Sequence, residues 1–143
     1  MTDFEFQEDA EYFEQLFSDS GMSDFKKEYF DFRDPDIKRA EFGKIRDSVF
    51  ETLKEKYGIV CQLEYSDDCT AQAEQVDHII PLHTNVLNKQ LRKIKGLTGK
   101  KTPSQSFGSN KLCNFALACA RCNGRKKHRI LTAEEFVAVL GRL

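Results

Sequence analysis

The chain has 143 residues, 40% of them hydrophobic and 31% charged, and its net charge is −1. That length holds one domain with an appended segment, and so large an apolar share argues against a disordered chain. No stretch approaches the roughly 18 consecutive apolar residues of a membrane span. The acidic N-terminus lacks the apolar core of a secretory leader, so a cytoplasmic, non-membrane protein with reduced cysteines is expected.

The small net charge hides an asymmetry. Residues 1–36 carry twelve acidic and three basic side chains, whereas residues 37–143 carry eleven acidic and nineteen basic ones. We therefore divide the chain into an acidic segment, 1–35, and a main domain, 36–143. The acidic segment is rich in aromatics: Phe4, Phe6, Tyr12, Phe13, Phe17, Phe25, Tyr29, Phe30 and Phe32. Disordered acidic tails have few of these. Phe6, Ala10, Phe13 and Phe17 recur at helical spacing. Gly21 breaks that helix, and Ser23 can cap a second one running to about Arg33. The pair is expected to pack on the main domain or to offer a docking surface to a protein partner.

Asp34-Pro35-Asp36 opens the longest predicted helix, about 36–57, and Gly58 stops it. Phe42, Ile45, Val49 and Leu53 form its apolar stripe. Lys38, Arg39, Lys44 and Arg46 give it a basic face. Five cysteines follow: Cys61, Cys69, Cys113, Cys119 and Cys122. Cys119-x-x-Cys122 is a half-site for tetrahedral zinc, and Cys61 with Cys69 can supply the other half across a longer loop. Four thiolates leave no open position, so the site is expected to be structural. Cys113 is read as packing.

Residues 75–82 read as a strand carrying Asp77-His78. Carboxylate and imidazole side by side can hold a hard cation and move a proton. Residues 83–111 form a long insert with Lys89, Arg92, Lys93, Lys95, Lys100, Lys101 and Lys111, and no acid occurs from 79 to 133. Charge of one sign is an electrostatic footprint for nucleic acid. His83 in this insert is read as structural. A second strand, Phe115–Ala118, leads into a basic helix starting at Cys119, with Arg125, Lys126 and Lys127. The last helix starts at Thr132, with Glu135 completing a capping box; Phe136, Val139 and Leu140 face inward.

The order Cys pair, Asp77-His78, Asn114, Cys119-x-x-Cys122, Asn123 resembles the HNH endonuclease family over residues 58–130. The resemblance implies an α+β fold: a ββα-metal core stapled by structural zinc, with flanking N- and C-terminal helices. It implies that Asp77 and Asn123 hold a catalytic cation and that His78 is the general base. It further implies that Asn114 orients that base or holds the active loop, and that Lys126 fits a position many members share. Asn rather than His at position 123 points the catalytic metal toward Mg²⁺ or Mn²⁺, while Cys61, Cys69, Cys119 and Cys122 take Zn²⁺. His128 is a weaker candidate ligand. The function implied is metal-dependent hydrolysis of DNA phosphodiesters, for which a restriction or defence role is the preferred setting. The insert bases named above, except Lys111, together with Arg125, Lys126 and Lys127, would contact DNA. A two-strand cut would call for a homodimer. The competing readings are a zinc-stabilised nucleic-acid-binding module and a subunit active only with a protein partner.

Overall fold

A computed structural model describes residue 4 and residues 7–22, 26–82, 106–127 and 129–143. Most of the basic insert, with Lys89, Arg92, Lys93, Lys95, Lys100, Lys101 and His83, lies outside the described residues, as does His128. In chain order the elements are α1 (Gln7–Ser20), α2 (Lys26–Tyr29), α3 (Pro35–Tyr57), β1 (Gln75–His78), a 3-10 turn (Leu112–Asn114), β2 (Phe115–Ala118), α4 (Ala120–Lys126) and α5 (Ala133–Leu140). The fold is mixed α and β around a two-stranded antiparallel sheet.

Helix α1 buries Ala10, Phe13, Leu16 and Phe17, a three-to-four spacing that places them on one face. That face packs against α5, with Phe17 5.5 Å from Phe136. The second helix ends earlier than its sequence predicts. Its described part is Lys26–Tyr29, after which Phe30 bridges to Gly108; Ser23, the expected cap, lies outside the described residues. Asp31 N–H donates to Phe107 O at 2.8 Å and Ser109 N–H to Tyr29 O at 2.9 Å. An extended partner from the end of the insert overrides the local helical preference here, as tertiary pairing commonly does.

Helix α3 follows its sequence signals. The Asp34 carboxylate accepts from Asp36 N–H at 2.8 Å, Pro35 is its first residue, and Gly58 closes it at φ 84° with its N–H on Lys54 O. It buries Val49 and Leu53, and also Lys38.

The sheet lies between α3 and the larger core. Its register pairs Val76 with Leu117, Asp77 with Ala116 and His78 with Phe115. Alternation sends Val76, His78, Phe115 and Leu117 to one face. There Val76, Phe115 and Leu117 pack with Val49 and Leu53 of α3. Ile79, Ala116 and Ala118 join the other core, which also contains Phe13, Phe17, Tyr29, Phe107 and Phe136. That core draws on both sides of the 35/36 division, so the acidic segment packs against the rest of the chain. The outer edge of β2 is covered by Gln62, whose N–H donates to Leu117 O (2.7 Å) while its side-chain oxygen accepts from Leu117 N–H (2.8 Å). Helix α5 carries the expected capping box: Glu135 N–H to the Thr132 hydroxyl, and Thr132 N–H to the Glu135 carboxylate.

Candidate functional site

Two local constructions meet at the sheet. The first is the cysteine cluster. A short antiparallel bridge between Val60 and Gln72 and the bond from Cys61 N–H to Ala71 O (3.1 Å) close the loop that carries Cys61 and Cys69. Residues with positive φ at Glu64 and Ala71 turn this loop. Cys119 caps α4 and Cys122 lies in its first turn. The four sulfurs lie within 4.8 Å of one another, and Cys69 and Cys119 are 3.9 Å apart. Tetrahedral zinc at about 2.3 Å from each sulfur requires separations of about 3.8 Å, so the cluster is sized for such an ion. Backbone N–H groups aim at the sulfurs: Tyr65 (3.3 Å) and Ser66 (3.4 Å) at Cys122, Ala71 (3.4 Å) at Cys69, and Cys122 (3.4 Å) at Cys119. These outer bonds orient ligands and stabilise thiolates. Cys113 stays apart from the cluster, half-buried against the core. Burial, with Glu28 nearby, pushes its thiol up to about 11, which suits packing rather than ligation.

The second construction is a cleft of about 520 Å³ lined by Arg39, Val76, Asp77, His78, Pro81, Leu82, Asn123 and Lys127. Asp77 is buried, and Oδ2 lies 3.1 Å from Lys126 Nζ in an ion pair out of hydrogen-bond alignment. Burial raises its carboxyl above the usual range, against the opposing pull of Lys126. Lys126 is itself fully buried and also donates to His78 O at 2.9 Å. It was expected near phosphate, but it points inward because β1 offers it a carboxylate and a carbonyl. Arg125 and Lys127 are exposed. Asn123 donates through Nδ2 to Gln75 at 2.6 Å, which leaves its side-chain oxygen outside that bond.

His78 sits edge-on between Phe42 (4.5 Å) and Phe115 (4.9 Å). Its Nε2 lies 2.8 Å from Asn110 Oδ1. Burial first, then the positive charges of Lys126 and Lys38, holds its pKa down at about 4 despite the Asn110 bond. The ring is therefore neutral near pH 7 and keeps one nitrogen lone pair, while the same burial weakens it as a base. Asn114 is fully buried and makes three bonds: from Ile80 N–H (2.8 Å), to Ile80 O (3.0 Å) and to Ser109 O (2.9 Å). It holds the loop after β1 against the start of β2.

Asn110, Lys38 and Phe42 are the site neighbours that sequence reading missed. Asn110 looked like one more polar residue of the insert, and Lys38 like part of a solvated basic face. A Gly-Ser-Asn run four residues before Asn114 was the one usable signal. Lys38 instead extends through the core to the carbonyls of Asp31 and Gly108 (2.7 Å for the latter), and burial lowers its pKa to about 8.

A scan against protein-family models and searches of the curated proteins and of the solved structures return no match to this chain. The site thus defines the chain by its own geometry: an α+β protein with a four-cysteine cluster able to hold a metal such as zinc, beside a cleft lined by carboxylate, imidazole and amide.

Proposed function

We propose that the chain is a metal-dependent endonuclease of the HNH type that hydrolyses phosphodiester bonds in DNA. The observation that carries the reading is one cleft lined by Asp77, His78 and Asn123 together with two cations, Arg39 and Lys127. The residues suit a hydrated Mg²⁺ or Mn²⁺, which needs few protein ligands and keeps several waters. The Asp77 Oδ2 atom, buried and met by the Lys126 ammonium at 3.1 Å outside hydrogen-bond geometry, is a polar atom of the right chemistry. Asn123 would add its amide oxygen. When bound, the cation supplies Lewis-acid stabilisation of charge developing on the phosphate. His78, neutral at pH 7, takes the proton from the attacking water. Arg39 and Lys127 bind the phosphate backbone at the rim. Asn114 keeps the loop that follows His78 in place and does not react.

Electrostatics select a path for the substrate. A neighbouring hollow of about 780 Å³ shares Val76 and Asn123 with the cleft, but it carries Asp47, Glu51 and Glu74. A polyanion would avoid that side and run past Arg39 and Lys127. The cysteine cluster, loaded with zinc, would staple β2 and α4 to the loop before β1 and would take no part in the chemistry.

The test is conversion of supercoiled plasmid by the purified protein, with and without Mg²⁺ or Mn²⁺, beside His78→Ala. The expected result is metal-dependent nicking or linearisation that His78→Ala abolishes while its zinc content is retained. Equal cleavage by the variant would remove His78 from the mechanism. The buried Asp77–Lys126 pair favours a second reading, a zinc-stabilised nucleic-acid-binding module, because it already neutralises the carboxylate. DNA binding without cleavage under any divalent ion would select that reading. A restriction role predicts products with one recurring end sequence.

A further inference from the structure

We propose that Asn110 is the positioning residue for His78, holding the neutral imidazole in its Nε2–H tautomer so that the lone pair that accepts the proton is on Nδ1. This rests on the nuclease reading of His78 but is carried by a separate observation. The Asn110 Nδ2 group donates to Lys38 O at 2.9 Å and faces Glu41 Oε1 at 3.5 Å. A backbone carbonyl can only accept, so the amide cannot be turned around. Its Oδ1 is therefore the atom facing His78 Nε2 at 2.8 Å. An amide oxygen also only accepts, so Nε2 must carry the hydrogen.

Among the described residues, no other hydrogen bond to the ring makes that choice. Phe42 and Phe115 hold the plane of the ring by edge contacts, which leave the two nitrogens equivalent. Asn114, the residue the family pattern offers for orienting the base, bonds Ile80 and Ser109 backbone atoms and never reaches the imidazole. The two tasks are divided: Asn114 holds the loop and Asn110 sets the tautomer. The anchors of Asn110 are Lys38 and Glu41 of α3, a helix that lies before residues 58–130. Phe42, one residue on, walls the ring. The orientation of the base is thus imposed from α3, which is itself fixed through Lys38 Nζ on the carbonyls of Asp31 and Gly108.

The experiment records two-bond ¹⁵N–¹H correlations of the histidine rings at pH 7.5 in the full, zinc-loaded chain without other added metal. The signals of His78 are assigned by their loss in His78→Ala. The expected wild-type pattern is Nε2–H. Asn110→Leu, which removes the acceptor at similar volume, should give mixed tautomers, and Asn110→Asp, which keeps an acceptor, should retain Nε2–H. An Nδ1–H pattern in the wild type, or an unchanged pattern in Asn110→Leu, overturns the proposal. Should Asn110→Leu fail to fold, the wild-type and Asn110→Asp patterns decide. In the plasmid assay, Asn110→Leu should lower kcat 10- to 100-fold with KM unchanged. Cleavage that depends on His78 while Asn110→Leu leaves the tautomer unmoved overturns this inference and leaves the nuclease reading standing. A tautomer lost in Asn110→Leu, in a chain that cleaves nothing, supports the Asn110 assignment and sinks the nuclease reading.

Discussion

Asp77 and Lys126 show how burial changes what a charge is for. Each is inside, and each is tolerable there because of the other. Removing one partner of a buried pair leaves an uncompensated charge, which costs about 3–5 kcal/mol. Lys126→Met should therefore destabilise by that order, whereas Lys126→Met combined with Asp77→Asn should recover a large part of it. Urea unfolding of the two variants beside the wild type measures both. Equal destabilisation by the single and the double change would show that the two groups do not act as a pair. Lys38 gives a pH signature. Its folded pKa of about 8 lies below the ordinary 10.5, so between those values the unfolded chain binds more protons and stability must rise with pH. The wild type should gain on Lys38→Met by at most about 3 kcal/mol across that window. Below pH 8 the group adds no slope. Denaturant midpoints at pH 7, 8.5 and 10 give the difference. Gly108 is fixed more simply: a Cβ there would lie 1.9 Å from Ile80 O and 2.6 Å from Pro81 O, both backbone atoms. Its identity was plain from the sequence, but its reason was not, because the crowding comes from Ile80 and Pro81, far earlier in the chain.

At the scale of elements, the signals that survived are those whose partners are close in sequence. The cap and proline of α3, the capping box of α5 and the cysteine half-site in α4 all act within four residues. The early end of α2 had no such signal, since its competitor is the segment around Gly108. The cysteine loop and α4 meet at the four sulfurs and through bonds such as Arg121 to Asp68 (2.8 Å). With zinc bound at the cluster, such a joint would depend on that metal. Loading with zinc and then stripping with a strong chelator should lower the unfolding midpoint by more than 10 °C, and Cys69→Ser should reproduce the loss without chelator. A chain whose midpoint ignores both treatments would have four packed thiols and no zinc staple.

For the whole molecule the acidic segment is the informative part. Phe13, Leu16, Phe17 and Tyr29 lie in the same core as Ile79, Ile80 and Phe107. The aromatic face is therefore engaged within the chain, and a docking role would fall to its exposed polar side. Removal of residues 1–33 would uncover that core, at about 3–5 kcal/mol for each large aromatic lost. The truncated chain is expected to be insoluble or to bind a hydrophobic dye strongly. A soluble, cooperative fragment with intact zinc content would instead define an autonomous domain. The charge asymmetry of the sequence is thus not a boundary between independent bodies, since Glu11, Glu14, Asp19 and Glu28 are exposed on helices whose apolar side is shared, and Asp9 is itself buried.

What the sequence determined by itself was chemistry at fixed spacing: a cysteine half-site, the strand alternation that separates Asp77 from His78, and the helix caps. Those follow from local geometry and need no distant partner. Only the tertiary structure decided that Lys38 and Lys126 turn inward, that Asn110 rather than Asn114 meets the imidazole, and that α3 supplies the wall of the site. Each of these pairs residues 32 to 72 positions apart. Side chains that can satisfy themselves in water carry no mark in the sequence of the buried carbonyl or amide that claims them instead.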